Sequence, residues 1–165
     1  MSGSAALGQI AISPADQVVI PVLGMHCAGG SLVARLMNLM GMELGWPLQP
    51  VGEDNPRGTW ENRLFQMVNQ QLLQGLGANV DAMDTPEGLQ RFSQQIGRTV
   101  LSDADLQDLS ARIGQNFMQP IWGWKDPRTA VIWPFWVQVL SQLGYEQVKP
   151  VIVVRHPDAC FRSLQ

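Results

Sequence analysis

Three short stretches of the sequence carry residues able to handle a bound anion. Gly24-Met25-His26-Cys27-Ala28-Gly29-Gly30-Ser31 is a small-residue turn between an apolar run and a periodic apolar segment. Strand, glycine-rich loop and helix in that order gather backbone N–H groups at the helix start, where the helix dipole adds partial positive charge. The loop has the GxxxxG spacing of a Walker A motif with Ser31 in the Ser/Thr position, but Gly30 stands where the lysine belongs. Phosphate therefore has a cradle here, and the cation must come from elsewhere. Lys125-Asp126-Pro127-Arg128 and Arg155-His156-Pro157-Asp158 each follow an apolar run and offer that charge.

The elements that must position these residues can be read in order. Residues 1–16 are small and polar and read as a loose leader before a domain over 17–165. Val18 to Leu23 is a strand with an irregularity at Pro21, because proline removes a ladder hydrogen bond. Leu32, Leu36, Leu39 and Met40 fall on one face of the helix predicted next. Met42 to Gly45 is a short strand candidate, and Trp46 to Gly58 a loop containing the turn signal Asn55-Pro56-Arg57-Gly58. A helical pattern starts at Trp60, with Leu64, Val68 and Leu72 at four-residue steps, and ends near Gly75-Leu76-Gly77. After a loop over 78–85, two polar, Gln-rich segments, Pro86 to Thr99 and Ser102 to Met118, read as an exposed helical insertion or lid (about 86–118). Ser102 suits an N-cap, with Asp103 and Asp105 in the first turn.

Ile121 to Lys125 is a strand candidate. Asp126 as N-cap and Pro127 in the first position open a helix through Ile132, Phe135, Trp136, Val139 and Leu143 that stops at Gly144. The tryptophans at 122, 124, 133 and 136 read as core. Lys149 to Arg155 is a β-branched strand, and His156-Pro157-Asp158 opens a further helix. Strand, loop and helix thus occur three times. The expected fold is α/β, a P-loop-like three-layer α/β/α arrangement around a central parallel sheet. Ligands in such sheets bind beyond the carboxyl ends of the strands, which would gather Gly24–Ser31, Lys125–Arg128 and Arg155–Asp158 around one crevice.

The bulk composition narrows the partners. A chain of 165 residues is one domain by length, and its net charge of −3 gives no broad electrostatic footprint for nucleic acid or an anionic membrane. Cys27 and Cys160 make no disulfide framework and fit a reducing compartment. The N-terminal residues lack the basic and long apolar regions of a signal peptide, and no apolar run reaches membrane-spanning length, so a cytoplasmic protein is expected. The two histidines and two cysteines have no metal-site spacing.

Taken together, four segments resemble the sulfotransferases that use 3′-phosphoadenosine 5′-phosphosulfate (PAPS), in particular bacterial members with a loop of the type GMHRSGTS. Here that loop is Gly24 to Ser31. Asn55 to Asn62 resembles the family's NPxGxWEN stretch, and Trp124 to Arg128 its KDPR element. Val153-Val154-Arg155-His156-Pro157, with Ser163 eight residues after Arg155, is similar to its 3′-phosphate motif. The order and rough spacing agree over most of residues 18–165.

The resemblance implies transfer of a sulfonate from PAPS to a hydroxyl or amine of a small-molecule or carbohydrate acceptor, leaving 3′,5′-ADP, without metal. It implies that His26, Cys27, Ala28, Gly29, Gly30 and Ser31 surround the 5′-phosphosulfate and that Arg155 and Ser163 hold the 3′-phosphate. Lys125 would then stabilise the sulfonate and leaving group, and Glu61 would serve as base. Positioning and electrostatic stabilisation should dominate, as in phosphoryl transfer.

Two departures bear on activity. Where the family loop usually has Arg and Thr, this chain has Cys27 and Gly30. One lost transition-state donor can cost about 10²–10³ in rate, so reduced turnover is expected. Family members also continue past the region of Ser163, so exposed faces for self-association or for a complementing C-terminal segment are expected. A non-catalytic nucleotide- or phosphate-binding module is the alternative. A P-loop kinase or NTPase is weaker, for want of the loop lysine and of an Asp ending an apolar run.

Overall fold

The computed structural model describes residues 12–52, 56–76 and 86–163. The start of the predicted leader, Asn55 of the turn signal, and the 78–85 loop lie outside these residues. Pro14–Asp16 form a single 3₁₀ turn at the end of the leader.

The fold is mixed α/β with parallel strand pairing. Its central stretch is split in two, β1 (Val18–Val19) and β2 (Val22–Gly24), with Pro21 in the gap. Its neighbour on one flank is β3 (Ile121–Trp122), and on the other flank lie β4 (Gln147–Val148) and β5 (Val151–Val153). All pair in parallel: Val18 with Ile121 and Gln147, and Val22 with Val151. The expected irregularity at Pro21 is observed, and Pro150 opens a matching gap between β4 and β5. The chain tolerates both because the Pro21 carbonyl still accepts from Val151 N–H (2.9 Å), and Lys149 N–H still donates to Val19 (2.8 Å). Glu43 bridges Trp122, again in parallel, so the Met42–Gly45 segment takes the outer position beside β3. The lateral order is therefore 43, 121–125, 18–24, 147–153.

Alternation along the central stretch serves two cores. Val22, with half-buried Ile20, packs with Ala34, Met42 and Leu44. Val19 joins a larger aromatic cluster containing Phe65, Trp122, Trp124, Phe135 and Trp136. There the Phe65 and Trp124 rings stack at 4.0 Å and Phe117 stacks on Trp122 at 4.2 Å. Trp122, Trp124 and Trp136 are fully buried and Trp133 is packed against them, as the sequence predicts.

Helix α1 (Gly30–Leu39) corrects an expectation. The face formed by Leu32, Leu36, Leu39 and Met40 is exposed; Gly30 and Ala34 are buried instead, with Val33 and Met37 half-buried. Both stripes satisfy helical periodicity. The small one turns inward because a helix leaving a tight turn directly over a strand end can approach the sheet only through residues with little side chain.

Helix α2 (Arg63–Gly75) begins three residues later than predicted, because Trp60 has a left-handed φ of 57° and Asn62 is the N-cap, its Oδ1 accepting from Leu64 N–H. The two Gln-rich helices form as α3 (Pro86–Ile96) and α4 (Asp103–Asn116), the latter capped by Ser102 as expected. They are not an exposed lid. Phe92, Ile96, Leu109 and Ile113 are buried in the aromatic core, so a sparse apolar stripe suffices to dock two polar helices. The single helix predicted after Asp126 is two, α5 (Pro127–Val131) and α6 (Trp133–Gln142). Pro134 breaks it at Ile132, since proline has no N–H to donate to the carbonyl four residues back and its ring clashes there; the proline is tolerated in the first turn of the second helix. Gly144 ends the second at φ 82°. Helix α7 (Pro157–Arg162) follows β5 and is capped by His156, whose Nδ1 accepts from Asp158 N–H.

Candidate functional site

The sequence-predicted groups meet at the carboxyl ends of the strands. The Gly24–Ser31 loop leaves β2 and enters α1 through Cys27 (φ 59°) and Gly29 (φ 102°). A left-handed Cys27 is uncommon for a residue with a side chain, and such outliers concentrate at ligand-binding turns. The first bond of α1 runs from Val33 N–H to the Gly29 carbonyl, so the N–H groups of Gly30, Ser31 and Leu32 precede the helical ladder. His26 is exposed, Ala28 buried and Ser31 half-buried.

The missing cation arrives from the adjacent strand. Lys125 follows β3 and bridges Val22, which brings its side chain under the helix start. A Cβ placed on Gly30 would lie 3.3 Å from Lys125 Cε and 3.7 Å from Cγ. Gly30 therefore leaves room for the lysine that the loop does not itself carry. Lys125 Nζ donates to Glu61 Oε1 at 2.6 Å, and both side chains are about 10% exposed. Glu61 is thus buried just ahead of α2, where the predicted first-turn position gives way to a pairing with Lys125. Its other oxygen accepts from Gln66 and lies 3.8 Å from Arg128 Nη2. An ammonium has three donors, and the pair with Glu61 engages one.

The loop carrying Glu61 is held at both ends. Gln49 N–H donates to the Glu61 carbonyl (2.7 Å), Arg63 N–H donates to the Pro47 carbonyl (3.0 Å), and the Arg35 guanidinium lies 4.5 Å from the Trp60 ring centre. Asn62 Nδ2 donates to the Leu44 carbonyl and to Asn116 Oδ1. The buried Thr59 Oγ1, two residues before Glu61, has no hydrogen-bond partner among the described residues.

Beneath the pair lies a buried polar network. Asp126 is fully buried and accepts from Arg128 N–H and Nε, both at 2.9 Å, and from Asn69 Nδ2 at 3.1 Å. Asn69 also donates to Thr129 Oγ1 and accepts from Trp136 Nε1 (2.7 Å), while Trp124 Nε1 donates to the same threonine. Burial opposes the charge on Arg128, but its bond to Asp126 and the charges of Asp126 and Glu61 prevail, and its pKa lies above the ordinary arginine value. The aromatic core thereby fixes α5 and the end of the Lys125 strand.

Arg155 reaches the loop from the other flank. Its Nη1 donates to the Cys27 carbonyl at 2.8 Å, and Cys27 Sγ lies 3.7 Å from the Ser163 carbonyl. Ser163 meets the loop through its backbone; its side chain is exposed. Loop, Lys125, Glu61 and Arg155 are consequently brought together.

Sequence reasoning missed Asn69 and Gln66 and read Arg128 only as part of a segment offering charge. Asn69 had a signal: an amide interrupting the apolar stripe of Phe65, Val68 and Leu72. Gln66 had none, for its role depends on where Glu61 is held. Among the described residues no group of three or more His, Cys, Asp or Glu side chains could hold a metal ion, and no helix is long and apolar enough to cross a membrane.

The chain matches no protein-family model, no curated protein and no solved structure.

Proposed function

We propose that the chain is a sulfotransferase-like protein of P-loop-like α/β/α architecture that binds PAPS at the Gly24–Ser31 loop and transfers its sulfonate to an acceptor hydroxyl. The observation that carries this reading is Lys125, packed against Gly30 at the start of α1 and paired with Glu61. An amide cradle, a cation beside it and a carboxylate touching that cation are the three groups sulfuryl transfer requires. The amides of Gly30, Ser31 and Leu32 would hold the 5′-phosphate, and Lys125 would use its remaining donors on charge developing at the leaving oxygen. Glu61 would take the proton of the attacking hydroxyl as its oxygen bonds to sulfur and the sulfur–oxygen bond to phosphate breaks. Arg155 spends one donor on Cys27, and a guanidinium has four more for a 3′-phosphate.

Calorimetric titration with 3′,5′-ADP and with AMP tests this. Clear preference for 3′,5′-ADP is expected; equal affinity, or no binding of either, contradicts it.

One observation favours the second reading, a binding module without turnover. Cys27 stands where the resembled loop has arginine, and its carbonyl, not its side chain, is the group engaged by a cation. Combining Cys27→Arg with Gly30→Thr should then raise nucleotide affinity. The introduced threonine fits only if the flexible end of Lys125 gives by a few tenths of an ångström. Unchanged affinity in that variant would mean the loop does not contact the ligand.

A further inference from the structure

A cleft of about 770 Å³ runs along the outer face of α2. Its volume falls within the usual range for ligand sites. Arg63, Gln66 and Gln70 line it from α2, Arg112 and Gln115 from α4, and Arg128 from α5. Spacings of three and four residues put the α2 contributors on one helical face. No carboxylate and no aromatic ring is among the described residues that line it.

We infer that this cleft is the acceptor subsite and that it takes an acidic, hydroxyl-rich ligand of the sugar-acid class. The inference rests on the proposed function for the word acceptor, but its chemistry stands on the cleft itself. Amide side chains both donate and accept, which matches hydroxyl groups that do the same. Guanidinium groups match carboxylate or sulfate with two parallel bonds. Three of them line the cleft, and only Arg112 and Arg128 have ion-pair partners among the described residues. A flat phenolic acceptor would find no aromatic partner and few apolar ones. Two of its lining side chains, Gln66 and Arg128, are also the ones that approach Glu61 Oε2. A hydroxyl bound at Gln66 would therefore lie one side chain away from the proposed base.

The test uses the full chain and three probes: a tetrasaccharide of alternating glucuronate and N-acetylglucosamine, the neutral maltotetraose, and p-nitrophenol. Each is titrated with and without 3′,5′-ADP. The acidic tetrasaccharide should bind about tenfold more tightly than the neutral one, as expected for one charge-assisted guanidinium contact. Arg63→Gln and Arg112→Gln should each weaken only the acidic tetrasaccharide, leaving maltotetraose and 3′,5′-ADP affinities unchanged. Both side chains are exposed, and the Arg112–Asp108 pair is a surface pair, so neither substitution endangers folding. Equal affinity for the two sugars, tighter binding of p-nitrophenol, or wild-type affinity in both variants would overturn the inference. If 3′,5′-ADP fails to bind while the acidic sugar binds and loses affinity in Arg63→Gln, the cleft is upheld and the sulfotransferase reading alone falls.

Discussion

Two regions bring positive charge to the same loop, and they are built differently. On one flank, Lys125 and Arg128 are tied to Glu61 and Asp126, and Asp126 rests through Asn69 on buried Trp136. On the other, Arg155 makes one bond to a loop carbonyl from just beyond β5, where Ile152 in the strand and Val154 after it are 69% and 84% exposed. The first region has its geometry fixed by the core before any ligand arrives. The second has charge in place but few neighbours to hold it. A site of this kind would grip the reacting end of a ligand rigidly and its 3′-phosphate end loosely.

Breaking the rigid side should have the largest effect. Asn69→Ala leaves the buried Asp126 short of a donor and Trp136 Nε1 without its acceptor. Denaturant unfolding should show a loss on the order of 3 kcal/mol, since bonds to buried charged groups are the costly ones to lose. A loss under about 0.5 kcal/mol would mean that the network does not bear on stability.

Separating the two halves of the buried pair comes next. Under the proposed function, Glu61→Gln should lower transfer by about 10²-fold or more while nucleotide binding persists, because it removes the proposed base but keeps an amide oxygen for Lys125 Nζ to donate to. Lys125→Met should weaken 3′,5′-ADP binding by about tenfold, the loss of one charge-assisted contact. Equal effects of both substitutions on binding would erase the division of roles.

On the loose side, Arg155→Ala should leave unfolding free energy within about 0.5 kcal/mol of the parent, as for exposed surface groups. A much larger loss would show that Arg155 organises the loop.

A further effect, confined to alkaline pH, concerns the aromatic core. Tyr145, the only tyrosine, stands edge-on to Trp122, and burial pushes its pKa up to about 12 from an ordinary 10.0. Between these values the unfolded chain has lost the phenolic proton and the folded chain keeps it. Stability contributed by the neutral phenol is therefore present below pH 10 and declines as pH rises toward 12. Phenolate absorbance should titrate near the upper value in the folded protein and near the lower one in denaturant.

Much of this arrangement was legible in the residues, and the exceptions have physical reasons. Caps announced themselves: Ser102, Asp126 with Pro127, and Gly144 act as their types predict, because capping is decided by a few adjacent residues. Pro21 marked its own break in the strand. The convergence of Lys125 and Arg155 on the loop followed from parallel topology alone. What failed depended on which of two surfaces packs. Helix α1 carries a bulky and a small apolar stripe, and only the tightness of the loop decides for Gly30 and Ala34. Helices α3 and α4 looked like a lid because most of their residues are polar, yet Ile96 and Ile113 are wholly buried. The Lys125–Glu61 pair spans 64 residues of sequence and had no local signature.

The most direct test of a rigid reacting end and a loose 3′-phosphate end is the ratio of 3′,5′-ADP to AMP affinity before and after Arg155→Ala, measured by calorimetry on the full chain. The expected ratio is about ten or more in the parent and collapses toward one in the variant, with AMP affinity unchanged, since a single guanidinium–phosphate contact carries the difference. A parent ratio of one, or a ratio indifferent to Arg155, would contradict it.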